Sequence, residues 1–262
     1  MISFRTIASG SSGNCVLFSK DNKILIIDCG ISGRNVTAFL NAENIDFNHI
    51  CSILVTHEHT DHTKGVGVLA RKFKVPVVAS RGTWQGMSFI GNVENQVVFD
   101  DYSDIDFDGI VVKPFPIPHD ANQPTGYLIF ADGKKYAVAT DIGHLTREIV
   151  DLLTGCEAVI LEANYDKEML TNGIYPPYLK ARIGGSNGHL DNLDTAKIAA
   201  YLAKNGTKSI LLGHLSNENN TPEIAFNQVA KEMELQGIKV GVDIRLLVAP
   251  RYKPSENIIV DG

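Results

Sequence analysis

The chain has 262 residues, 44% of them hydrophobic, which is enough for one sizeable α/β domain with a buried core. A net charge of −6 argues against a protein that coats nucleic acid non-specifically, since such binding rests on Lys and Arg neutralising phosphates. No apolar run approaches the roughly 20 residues that span a bilayer, and Met1-Ile2-Ser3-Phe4-Arg5 lacks the pattern of a secretory signal, so a cytoplasmic protein off the membrane is expected.

Ala8 to Asn14 is a Gly/Ser loop (ASGSSGN) whose N–H and hydroxyl donors suit an anion cradle and equally suit a tight hairpin turn. Lys23 to Ile27 is an apolar run stopped by Asp28-Cys29-Gly30, the pattern of a buried strand closed by a turn. Ile50 to Val55 and Val75 to Ala79 read the same way, as do Tyr127 to Phe130, Lys135 to Ala139, Ala158 to Leu161 and Ser209 to Leu212. Leu193, Ala196, Ala200 and Ala203 form one apolar helical stripe closed by Gly206. Thr221-Pro222-Glu223 opens a further helix that Gly237 closes. Cys15, Cys29, Cys51 and Cys156 are scattered without a C-x-x-C pair and read as reduced small apolar side chains. There is no repeat and no linker. Residues 1–262 are expected to form a single α/β domain, an αββα sandwich of two mixed sheets packed face to face with helices outside.

The chemistry concentrates in Thr56-His57-Glu58-His59-Thr60-Asp61-His62, directly behind an apolar strand. On an extended segment His57 and His59 share a side, while Asp61 and His62 follow on the turn, so one short stretch can serve two adjacent metal ions. A solvated polar loop is the bland alternative, and three histidines at this spacing outweigh it. Imidazole and carboxylate suit Zn²⁺ or Mn²⁺, with Fe²⁺ also compatible, and no thiolate lies nearby in sequence.

This H-x-H-x-D-H pattern resembles the metallo-β-lactamase superfamily. The resemblance implies a metal-dependent hydrolase with two divalent ions, one held by His57, His59 and His119, the other by Asp61, His62 and His214, with Asp141 shared. His119 lies in Pro-Ile-Pro-His-Asp, Asp141 in Ala-Thr-Asp-Ile-Gly and His214 in Leu-Leu-Gly-His-Leu. Alone, His119 or His214 would read as a structural histidine; beside the first motif each reads as a ligand. Asp28 matches an aspartate that hydrogen-bonds a ligand histidine, and also fits a turn former.

The ligand set defines a hydrolase class, not a substrate. Phosphodiesters are favoured by the Gly/Ser loop, where Ser11, Ser12 and Asn14 are candidate substrate contacts. They are favoured also by His189, just before a helix start, where the dipole attracts an anion. A plain residue at the helix start is the alternative. His189 matches a non-ligand histidine that assists the leaving oxygen in nucleases and phosphodiesterases of the superfamily. Asn164 to Ile183 alternates tyrosines with cations and reads as a loop for stacking bases and holding phosphates, with Lys180 and Arg182 as phosphate contacts. Together with His214-Leu215-Ser216-Asn217-Glu218-Asn219-Asn220 these segments are similar to the YycJ/WalJ group of small bacterial exonucleases. That implies 5′→3′ trimming of DNA, more than RNA, by a metal-bridging hydroxide with Asp61 and His189 as catalytic residues. Tyr165 and Asp191 depart from the group, standing where a histidine and a serine are expected. The competing reading is a thioesterase or other small-molecule acyl or phosphodiester hydrolase.

Overall fold

The structure, a computed structural model, describes residues 1–260. The chain divides into two compact units: Met1–Pro116 with Ala121–Thr125 and the segment from Pro250, and Ile117–Asp120 with Gly126–Ala249. Among the described residues, no helix is long and apolar enough to cross a membrane.

The first unit contains β1 (Ile2–Ala8), β2 (Cys15–Lys20), β3 (Lys23–Ile27), α1 (Gly33–Ala42), β4 (Ile50–Leu54), α2 (Thr60–Thr63), α3 (Val66–Phe73), β5 (Val77–Ser80), α4 (Arg81–Gly86), β6 (Gln96–Phe99), β7 (Ile105–Asp106) and β8 (Val111–Pro116). A short β14 (Ile258–Val260) returns antiparallel to β1. The described sheet order is β14-β1-β2-β3-β4-β5-β6. β1 to β3 are an antiparallel meander, and β3 to β6 run parallel through helical crossovers. The Gly/Ser loop is therefore the connection of the β1–β2 hairpin. Ser32 caps α1 by accepting from Asn35 N. Under the helices Ile24, Ile26, Val36, Leu40, Ile53, Val55, Leu69 and Val77 share one buried cluster. Burial stabilises each such side chain by roughly 1.5–3 kcal/mol.

The second unit contains β9 (Thr125–Ala131), β10 (Lys134–Ala139), α5 (Arg147–Leu153), β11 (Ala158–Glu162), α6 (Lys167–Asn172), α7 (Pro177–Ile183), α8 (Asn192–Lys204), β12 (Ser209–Gly213), α9 (Pro222–Leu235) and β13 (Arg245–Val248). β9 and β10 form a hairpin, and β10, β11, β12 and β13 are parallel neighbours in that order. The parallel strands read as continuous apolar runs because both faces are covered; every residue of β11 is buried. Ala139 pairs with Leu161, and Leu161 with Leu212, so the carboxyl ends of three strands finish level.

Two expectations need correction. The inward face of α8 is not the stripe from Leu193, which is 46% exposed. Asn192 turns in instead, bonded to Asn220 Oδ1 at 3.0 Å, and Thr195 Oγ1 donates to Glu162 O at 2.7 Å. Two satisfied polar side chains thus rotate the helix so that Ala196, Ile198, Ala199, Ala200 and Leu202 pack. The Asn164–Ile183 stretch is not a loop either. It holds α6, capped by Asp166 accepting from Met169 N, and α7, begun by Pro177. Both are too short to show a helical period.

Candidate metal centre

In the first unit the histidine motif occupies the turn after β4. Asp28, one residue past β3, takes a left-handed φ of +60°. Its Oδ1 accepts from Thr56 N at 2.8 Å, and its Oδ2 accepts from Thr56 Oγ1 at 2.8 Å and faces His62 Nδ1 at 2.8 Å. A carboxylate only accepts, so Nδ1 carries the proton and Nε2 presents its lone pair. Asn14 Nδ2 lies 3.1 Å from that Nε2, and Asn14 Oδ1 accepts from Gly10 N at 2.8 Å. His57 Nε2 and His59 Nδ1 approach to 2.9 Å, the shared side that extended geometry predicts. Asp61 Oδ2 is 3.5 Å from His62 Nε2. Backbone bonds lock the turn: Asn14 N donates to Asp61 O at 2.8 Å, and Cys29 N to His62 O at 2.7 Å. Gly30 is required here, because a Cβ would fall 1.5 Å from Asp61 O. Glu58 is not aimed with the histidines; its Oε1 accepts from Asn122 N at 2.8 Å.

In the second unit the site grows from aligned strand ends, where parallel sheets place their ligands. Asp141 follows β10 with φ +61°, and His214 follows β12 with φ +55°. Such backbone costs about 1–3 kcal/mol per residue and persists where surrounding structure fixes it. Between them Glu162 closes β11, fully buried. Its Oε1 lies 2.9 Å from both His189 Nδ1 and His214 Nδ1. Its Oε2 accepts from Ile142 N at 2.7 Å and Leu190 N at 3.1 Å. Burial pushes this carboxyl up, but the charge and hydrogen bond of His189 and the hydrogen bond of His214 outweigh it and hold the group well below the ordinary range. Asp141 Oδ1 is 3.2 Å from His214 Nδ1, and Asn164 Nδ2 donates to His214 O at 2.8 Å. Asp141, Glu162, His189 and His214 offer ligand atoms within 4.8 Å of one another. His119 Nδ1 donates to Gly188 O at 3.0 Å, which turns Nε2 into the acceptor. Burial, aided by His189, lowers its pKa against the pull of Asp141 and Glu162, keeping the ring neutral as a ligand must be.

The donor chemistry fits divalent cations. Histidines with Nδ1 engaged leave Nε2 as the ligating atom, carboxylates complete the set, and imidazole with carboxylate suits Zn²⁺, Mn²⁺ or Fe²⁺.

The candidate substrate contacts differ in their surroundings. Ser11 and Ser12 are exposed, Ser11 Oγ accepting from Arg251 Nη1 at 3.3 Å, whereas Asn14 is buried against His62. Lys180 Nζ donates to Thr171 O at 2.7 Å and Arg182 Nε to Asp120 Oδ2 at 2.5 Å. Asp191 caps α8, accepting from Leu193 N and Asp194 N, so the negative charge sits at a helix start that it stabilises. His144 Nδ1 bonds Ser186 O at 2.8 Å. Glu162 is not singled out in the sequence reading, and Asn164 enters only as the start of the tyrosine-and-cation stretch. The signal for Glu162 was present: an ionisable residue closing an otherwise apolar strand.

A sequence profile of the beta-lactamase superfamily domain matches residues 23–215. The chain belongs to that superfamily and is a metal-dependent hydrolase with clusters that suit divalent metal. Among relatives, it is 39% identical over 241 residues to exodeoxyribonuclease YycJ of Bacillus anthracis, covering 91% of each chain. It is 36% identical to exodeoxyribonuclease WalJ of Streptococcus pneumoniae, covering 93% of this chain and 92% of that one. The metallo-β-lactamase fold protein YhfI of Bacillus subtilis matches with a TM-score of 0.70 at 14% identity, over 98% of this chain and all of that one. That likeness bears out the αββα fold class.

Proposed function

We propose that this hydrolase cleaves phosphodiester bonds in nucleic acid, as a 5′→3′ exonuclease on DNA. The observation that carries the reading is the similarity, along more than nine-tenths of the chain, to two exodeoxyribonucleases. We assign His57, His59 and His119 to one divalent ion, Asp61, His62 and His214 to a second, and Asp141 to both. When bound, such ions supply Lewis acidity, lowering the pKa of water and offsetting phosphoryl charge.

The chain's own groups do the rest. Asp61 orients the attacking water and takes its proton. His189 turns Nδ1 to Glu162, so Nε2 is the nitrogen that delivers a proton to the departing oxygen. Glu162 fixes both that ring and His214. Ser11, Ser12, Lys180 and Arg182 serve as phosphate contacts, while Asn14 acts through His62. Local charge reconciles phosphate binding with a net charge of −6: two dications less the charges of Asp61 and Asp141 leave the centre positive.

The test is to load the protein with Mn²⁺ or Zn²⁺ and offer DNA labelled at either end beside a thioester. A ladder shortening from the 5′ end is the expected result. Thioester turnover with intact DNA refutes the reading.

A further inference from the structure

The segment from α6 through α7 carries a feature that the proposed chemistry leaves unused. Ile174 is 85% exposed and Tyr178 76% exposed, four residues apart on one side-arm. The other tyrosines of the stretch are turned in: Tyr175 is half-buried, and Tyr165 is buried, its phenol pushed up to about 12 by that burial. Covering a large aromatic and a large aliphatic side chain would remove apolar surface from water, a gain available to a bound partner.

The arm is tied directly to the candidate centre. Arg182, at the end of α7, pairs with Asp120, whose other oxygen is 3.4 Å from His119 Nε2. Gly188 O accepts from His119, and His189 N donates to Ile183 O at 2.9 Å. Lys180, two residues on from Tyr178 in α7, is bonded to a neutral carbonyl. An exposed aromatic face, an exposed aliphatic side chain and a cation, on a segment whose end is hydrogen-bonded to His189, match a single strand of nucleic acid, whose bases stack while its phosphates pair.

We propose that Tyr178 and Ile174 are specificity determinants that hold the bases of the terminal nucleotides of the strand being cut. This rests on the nucleic-acid reading above and adds to it that the substrate is gripped through bases as well as phosphates.

The test pairs protein and substrate changes on a DNA oligonucleotide that the wild-type protein degrades. Tyr178→Ala is expected to raise KM about tenfold with kcat within about twofold, the scale of one lost base stack. Tyr178→Phe keeps the ring and is expected to stay near wild type, and Tyr201→Ala, on α8, serves as the exposed-tyrosine control. Replacing the terminal three nucleotides by abasic ones should raise the wild-type KM at least as much, and should raise the KM of Tyr178→Ala by a smaller factor than it raises that of the wild type. Additive losses, or a wild-type KM in Tyr178→Ala, overturn the proposal. A dimer that Tyr178→Ala dissociates without changing KM assigns the face to a second copy and likewise overturns it. Absence of cleavage of any DNA by the wild-type protein sinks the nuclease reading instead.

Discussion

The two units assemble metal-type donors by opposite routes. In the first, His57, His59, Asp61 and His62 come from one turn, and their orientation is settled within it and by the neighbouring β1–β2 and β3 ends. In the second, Asp141, Glu162, His189 and His214 are far apart in sequence and meet because β10, β11 and β12 finish level. A local motif needs only its turn. A distributed one needs the register of a whole sheet, and it concentrates its dependence on a buried carboxylate, Glu162, that meets four donors at once.

The sharpest way to break the distributed set is at the residue proposed as proton donor. His189→Ala is expected to lower kcat on DNA by about 10²–10⁴-fold, the usual worth of general acid catalysis. Metal content, read by elemental analysis, should stay at the wild-type level. A variant that cleaves at full rate removes His189 from the mechanism, and one that loses metal makes it a ligand.

Glu162→Gln comes next. Four donors converge on Glu162: two ring nitrogens and two backbone N–H groups. Glutamine offers one accepting oxygen and one donating amide. Whichever way it turns, a donor is left facing a donor, or a histidine must move its proton to Nε2. For His214 that proton would sit on the nitrogen proposed to bind metal. The expected loss is about 100-fold in metal affinity, with thermal stability lower by about 1–3 kcal/mol from the unmet buried donor. Isothermal titration and a melting curve check both; unchanged metal affinity would mean that the carboxylate only supports the fold.

This contrast explains what could be read from residues alone. The apolar strands were legible because buried parallel strands are continuous runs, and the His57–His62 motif because its geometry is local. Together they carry the αββα class and the superfamily. Glu162 stands out only as an ionisable residue closing an apolar strand; nothing nearby in sequence says that it meets His189 and His214. Leu193 misled because Asn192 and Thr195 find partners inside, a tertiary fact that reverses the apolar pattern. Asn14 was read as part of an anion cradle, while its amide actually abuts His62, across a hairpin that only the paired sheet brings near.

The local set should be more forgiving, and Asp28→Asn measures by how much. Asparagine tolerates the left-handed backbone at this position as aspartate does, so the turn itself is kept. Its oxygen can go on accepting from Thr56 N, leaving the amide to face Thr56 Oγ1 and His62 Nδ1. His62 can answer only by moving its proton to Nε2, but Thr56 Oγ1 also lies 3.3 Å from Nδ1 and can rotate to accept from it. Beside Glu162 Oε1 the alternative acceptor for His214 Nδ1 is Asp141 Oδ1 at 3.2 Å, a carboxylate assigned above to both metal ions and so not spare. The expected loss in metal affinity is therefore nearer 10-fold, the low end of what such supporting residues contribute. Titrating metal into both variants under one buffer compares them directly. If Asp28→Asn proves as damaging as Glu162→Gln, the local turn is no more self-sufficient than the strand-end set, and Asp28 rather than the contiguous motif is what orients the first set of ligands.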